Sequence, residues 1–152
     1  MADMGDNELQ VIGEASLLRR FQEQADERFA PLPERDPFNG QFTPSVLSFH
    51  RLLPTPVEVV ARGYAPSGGG YDWQKDNWGV KWGAVDANLL EGPDGLCYYF
   101  ETAWVPPLPF LQAVSELNPA LTFLLSFTPP ISRLQENYAF QAGKSIDVDD
   151  LV

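Results

Sequence analysis

The sequence predicts an α+β fold: a two-layer sandwich of the ferredoxin-like, split βαβ kind, with a mainly antiparallel sheet, an extra hairpin or edge strand and a tryptophan-rich insertion. Three observations lead there. Apolar residues alternate with period two in several short segments bounded by turn chemistry. Helical periodicity appears at two well-separated points between those segments. All four tryptophans, Trp73, Trp78, Trp82 and Trp104, gather around one hairpin. Indole is the largest side chain and carries one N–H that needs a partner when buried, so a single aromatic cluster organises the second half of the chain.

Taken in order, Glu8 to Ile12 reads as a short strand ending at Gly13. Residues 14–29 read as an amphipathic helix with Leu17, Leu18, Phe21, Ala25 and Phe29 inward and Glu23, Asp26, Glu27 and Arg28 toward water. Residues 30–44, rich in proline, form a loop, and 46–53 a second strand. Thr55-Pro56-Val57-Glu58 has the form of a capping box opening a short helix that ends near Gly63. Residues 65–70 are the most flexible stretch by composition. No Lys-Ser/Thr pair completes a phosphate loop there. Residues 84–91 and 96–104 flank Gly92-Pro93-Asp94-Gly95 as a hairpin, with Leu96, Tyr98, Phe100, Thr102 and Trp104 on one face and Val85, Ala87 and Leu89 matching them. Pro106-Pro107 opens a helix to about Asn118, with Leu111, Val114 and Leu117 inward. Leu121, Phe123, Leu125 and Phe127 alternate as a strand, and Tyr138, Phe140 and Ala142 suggest one more. Residues 145–152 lack turn signals and aromatics and read as a flexible acidic tail. One domain of 152 residues is expected, with a folded core over 8–143.

Composition narrows the function classes. No apolar run approaches the ~20 residues that span a bilayer, and the acidic start lacks the basic and apolar regions of a signal peptide, so a cytoplasmic location and no membrane partner are expected. Cys97 is the single cysteine and His50 the single histidine, too few ligands for a transition-metal site. No metal or cofactor is expected. The net charge is −11, and from Ala84 onward Arg133 and Lys144 face nine carboxylates. Such a surface repels phosphate backbones and attracts a partner with a basic surface, so direct nucleic-acid binding is not expected.

Asn77-Trp78-Gly79-Val80-Lys81-Trp82, the hairpin and Phe100-Glu101-Thr102-Ala103-Trp104-Val105-Pro106-Pro107 resemble the YubB/Api92-like ferredoxin-like domain family of bacteria, plasmids and bacteriophages. The family carries an N-W-G-x-K-W core and an F-x-T-A-W-x-P-P strand-to-helix junction. The Leu52-Leu53-Pro54-Thr55-Pro56 turn is similar to its I-P-x-P segment. The resemblance covers residues 45–143. Gly83 stands where the family has Asn or Asp, the 30–44 loop is longer, and Glu136 to Phe140 matches loosely. The resemblance implies the fold and a mobile-element setting, and no reaction.

Trp78, Lys81, Trp82 and Trp104, with Asp72, form one candidate binding site, Lys81 lying over an indole as a cation–π pair. The competing reading packs the indoles as core under the aliphatic stem of Lys81. Asp72, Asp76, Lys81 and Thr102 supply an acid, a base and a hydroxyl, but nothing in the spacing sets a catalytic geometry, so no catalytic residue is assigned. Tyr98, Phe100 and Phe123 sit where RNA-binding sheets stack bases, without the surrounding cations that reading needs. Asp147, Asp149 and Asp150 alternate with aliphatic residues in the tail, as in docking peptides. Charge and the missing catalytic set lead to the expectation of a non-enzymatic acidic protein-binding module, encoded by a phage or other mobile element, that engages a basic surface of a host protein and competes there with nucleic acid. A small-ligand binder or enzyme using a cleft beside the tryptophan hairpin is the alternative, and a single-stranded nucleic-acid binder a third reading that the charge disfavours.

Overall fold

A computed structural model describes residues 2–30, 35–38, 44–65, 67–92, 95–147 and 149. Its elements are β1 (Met4–Ile12), α1 (Ala15–Ala25), a 3-10 turn (Glu27–Phe29), α2 (Phe49–Leu52), α3 (Val57–Ala61), α4 (Gly70–Asn77), β2 (Val85–Gly92), β3 (Gly95–Ala103), α5 (Leu108–Leu117), β4 (Thr122–Thr128), β5 (Glu136–Gln141) and β6 (Lys144–Ile146). The six strands form one sheet in the order β2-β3-β1-β4-β5-β6, and every neighbouring pair is antiparallel. The protein is α+β, as the element order predicts. No helix among the described residues is long and apolar enough to cross a membrane.

Strand alternation builds the core. Leu9 and Val11 of β1, Leu96, Tyr98 and Phe100 of β3, and Phe123, Leu125 and Phe127 of β4 are buried in register with one another. Leu18, Phe21 and Ala25 of α1 and Phe110, Leu111 and Val114 of α5 cover them. Phe21 meets Tyr98 and Phe123 edge-on, while the rings of Phe49 and Phe110 stack with centroids 3.6 Å apart. Among the described residues no helix covers the opposite face of the sheet.

Several local expectations are corrected. Helix α1 stops at Ala25 because Asp26 turns extended and caps the next turn, its carboxylate accepting from the Arg28 N–H and pairing with the Arg28 guanidinium at 2.7 Å. Phe29, expected inward, is therefore 84% exposed. Asp26 and Glu27, expected in water, are buried, and the Glu27 carboxylate accepts from the Asp36 N–H and the Ser48 hydroxyl. Residues 46–53 form no strand. Ser48 caps the single turn α2 by accepting from the Arg51 N–H, and the three-residue spacing of Phe49 and Leu52 sends both inward.

The capping box at 55–58 does not form. Helix α3 begins at Val57 without a side-chain cap, while the buried Thr55 donates its N–H to His50 Nδ1 at 3.1 Å. The 65–70 glycines lead into a helix, α4, with Gly69 at its cap and Gly70 as its first residue. A Cβ on Gly69 would stand 2.5 Å from the Ala65 carbonyl oxygen and 2.6 Å from that of Gly63. Close backbone approach, not flexibility, accounts for that glycine. Leu117, expected inward, lies 63% exposed at the end of α5. Ser145 and Ile146, expected in a loose tail, pair with Phe140 and Ala139 in β6. Asp150, with 148, 151 and 152, lies outside the described residues.

Candidate functional site

The tryptophan motif does not make a single surface site. Trp78 is fully buried, donates its indole N–H to the Leu53 carbonyl at 3.1 Å, and meets Phe49 and Trp73 edge-on. It belongs to the core, and its expected binding role is corrected accordingly. Trp82, 38% exposed, lies under the Lys81 ammonium, 4.3 Å from the ring centroid. The expected cation–π pair is present, with Trp82 as its ring. The Trp82 N–H donates to Gln74 Oε1 at 2.8 Å, which also accepts from the Tyr64 hydroxyl at 2.8 Å. Gln74 is thus a buried hub of α4, and its Nε2 has no partner among the described residues.

Asp72 accepts from the Gly68 N–H at 2.8 Å and closes its own loop. Trp104, expected on the inward face of β3, adopts φ +65 just past the strand end. That rotation takes the indole out of the strand's alternation and leaves it 46% exposed. Thr102 is buried, accepting from Asn7 Nδ2 and donating to the Val105 carbonyl, which is a structural duty. His50 holds a backbone N–H on Nδ1, and burial lowers its pKa against the opposing pull of Glu27. Tyr98, Phe100 and Phe123 lie beneath the helices, so base stacking on them is overturned. Asp147 accepts from the Asp149 N–H, a local turn in an exposed segment.

The uncovered face of the sheet gathers what the sequence scattered. Side chains directly opposite one another across an antiparallel pair lie on the same face. Asp6 of β1 faces Glu101 of β3, Glu8 faces Tyr99, and Gln10 faces Cys97. On the outer side Asn88 faces Tyr99 and Leu90 faces Cys97, while Thr128, Ser126 and Leu124 of β4 continue the rows. The register shifts between Val85 and Asn88, and Asp86 takes φ +51 at that bulge. Bulges re-aim side chains, and here the Asp86 carboxyl meets Glu101.

Four carboxylates, Asp6, Glu8, Asp86 and Glu101, therefore share this face. Partial burial pushes the Glu101 pKa up, and Asp86 and Asp6 beside it add to the shift. The Tyr99 hydroxyl, 3.4 Å from Glu8, is pushed up to about 12, chiefly by Cys97 and then by Glu8. Burial raises the Cys97 thiol as well, which favours its protonated form. Below the acidic rows lies an open depression of about 330 Å³ between Gln10, Ile12, Leu90 and Cys97, floored by Gly92 and Gly95. At the other end of the sheet Trp104, Val105, Ile131 and Leu134 expose apolar surface. Among the described residues no group of carboxylates, His and Cys is arranged to hold a metal.

Sequence reasoning placed none of these face carboxylates in a site. The available signal was the polar half of the alternation in β1 and β3, but periodicity alone does not reveal which strands are neighbours.

No family model matches the chain. No curated protein matches it either. Among solved structures it is similar to the crystal structure of protein api92 from Yersinia pseudotuberculosis, at 9% identity over 97% of each chain with a TM-score of 0.74. At that identity the likeness is one of fold, and it agrees with the relationship that the tryptophan motifs suggest. The chain has the api92 fold across nearly its whole length.

Proposed function

We propose that this protein is a non-enzymatic binding module that docks a basic surface of a partner protein on the open face of its sheet. The observation that carries the reading is the convergence of Asp6, Glu8, Asp86 and Glu101 on a face that no helix among the described residues covers. Like charges held together await opposite charge, and such a field speeds association with a basic partner while repelling phosphate backbones. Exposed apolar side chains at both ends of the sheet provide area that binding needs beyond charge. The frame is a ferredoxin-like split βαβ. In support, the segment carrying α1 to α4 joins β1 to β2 across β3, and α5 joins β3 to β4 across β1. The family resemblance adds a phage or plasmid origin and a host protein as partner, with action in the host cytoplasm. A partner that normally holds nucleic acid on its basic surface would lose it in competition.

The test compares host proteins retained by wild-type protein and by the Asp86→Asn/Glu101→Gln double variant, washed at low and high salt. Specific partners released by salt and missing from the variant support the reading. Partners kept equally by both proteins overturn it.

The rival reading, a small-ligand site beside the tryptophan hairpin, draws on Gln74 Nε2, which has no partner among the described residues, near Tyr64 and Trp82. Trp78 filling the core there weighs against it.

A further inference from the structure

Arg133 lies in the connection between β4 and β5 at φ +58, a region unfavourable for side chains other than glycine. Its guanidinium reaches Asp6 at 3.3 Å, with the side chains 58% and 55% exposed. An ion pair so wet contributes little and exchanges readily. The contact covers one carboxylate of the open face and leaves Glu101 beside the like-charged Asp86. Asp6 and Glu101 stand directly opposite across the β1–β3 pair, close enough for one planar guanidinium to bond both. Arg133 is flanked by Ile131 and Leu134, which are 77% and 74% exposed. The loop thus presents an arginine between aliphatic side chains at the edge of an acidic face.

We infer that Arg133 holds the place of a partner's arginine, and that the partner segment carries arginine flanked by aliphatic side chains and displaces this loop. The inference rests on the proposed docking face and deepens it by naming the side chain recognised. The partner's guanidinium bridges Asp6 and Glu101. Its aliphatic neighbours contact the exposed surface around Trp104 and Val105 or the depression beside Leu90. Arginine suits this seat better than lysine because its planar fork bonds two carboxylates at once.

The probe is a fluorescein-labelled synthetic peptide of three Ile-Ser-Arg-Leu repeats, titrated at low salt and followed by anisotropy. Arg133→Gln should bind it about two- to fivefold more tightly, the scale of releasing one exposed ion pair. Asp86→Asn/Glu101→Gln should bind it about tenfold more weakly. Replacing every arginine of the peptide by lysine should weaken binding to the wild-type protein. If the double variant binds less but Arg133→Gln does not bind more, the stand-in role of Arg133 is wrong and the docking face survives. Unchanged binding by the double variant removes the docking face itself. Equal binding of the lysine peptide overturns the assignment of a guanidinium. Circular dichroism of each variant confirms that it is folded, since all the substituted positions lie at least partly exposed.

Discussion

Trp78 donates its indole N–H to the main-chain carbonyl of Leu53, tying the start of the tryptophan motif to the turn after α2. The bond is made where the ring is fully enclosed, between Phe49 and Trp73. Deleting the ring leaves a large cavity and an unpaired carbonyl. Trp78→Ala should lower stability by about 3–5 kcal/mol in denaturant unfolding. Trp78→Phe keeps most of the apolar volume and loses the hydrogen bond, for about 1–3 kcal/mol. Equal small losses for both would place the ring outside the core.

Trp104 behaves differently, although the sequence reading makes it an anchor of the strand-to-helix junction. It is half-exposed and sits at φ +65. Glycine occupies that conformation without steric cost. Trp104→Gly should change stability by no more than about 1 kcal/mol in either direction, since relief of backbone strain offsets the lost contacts. A loss near the ~3–5 kcal/mol of a buried aromatic would show that the indole packs inward.

Asp36 provides a pH signature. Burial, with Glu27 nearby, raises its pKa to about 6 despite the Phe38 N–H that its carboxylate accepts. The folded pKa lies above the unfolded one, so the group's contribution is most favourable below about pH 4 and is lost as pH rises toward 6. Asp36→Asn keeps an acceptor for Phe38 and removes the charge. Its stability relative to wild type should therefore grow by about 2–3 kcal/mol between pH 4 and pH 7. Paired urea titrations at several pH values measure this difference. A gap that ignores pH would mean that Asp36 is solvated in the folded protein.

Gly69 tests whether the glycine stretch is a linker or a packing device. Two carbonyl oxygens crowd the position a Cβ would take, and backbone cannot rotate away as a side chain can. Gly69→Ala should cost about 1–3 kcal/mol, the usual range for overpacking. Gly68→Ala introduces strain only through its φ of +75, with nothing near its Cβ, and should cost about 1 kcal/mol. Equal and negligible effects would support a flexible linker.

Much of the frame is legible in the sequence. Alternation in 96–102 and 121–127 specifies which face each strand buries, and Pro106-Pro107 marks the start of α5. What escapes has local causes. Helix α2 is one turn long, and its apolar residues also suit a strand, so only the Ser48 cap betrays it. Helix α4 is polar, Gly-Tyr-Asp-Trp-Gln-Lys-Asp-Asn, and carries no strong apolar stripe. The positive φ of Trp104 is set by its neighbours and breaks the alternation at its last member. The acidic face is legible only in part, because Asp6 and Glu101 become neighbours through strand order, which no single segment encodes.

The C-terminal segment separates two contributions that the sequence merges. Lys144 to Ile146 adds β6 to the sheet edge through pairs with Gln141, Phe140 and Ala139, and the turn before it is held by the Gly143 N–H donating to Ser115. Asp147 and Asp149 lie exposed beyond that strand. Among the described residues, removing 147–152 takes away no ladder bond, and the truncation should leave stability within about 0.5 kcal/mol of the full chain. Removing 145–152 strips β6 of two of its three paired residues and uncovers the edge of β5, where unpaired N–H and C=O groups invite association. That longer deletion should unfold at measurably lower denaturant and self-associate in sedimentation. If the two truncations behave alike, β6 contributes nothing to the sheet and the flexible tail begins at Ser145, as composition alone suggests.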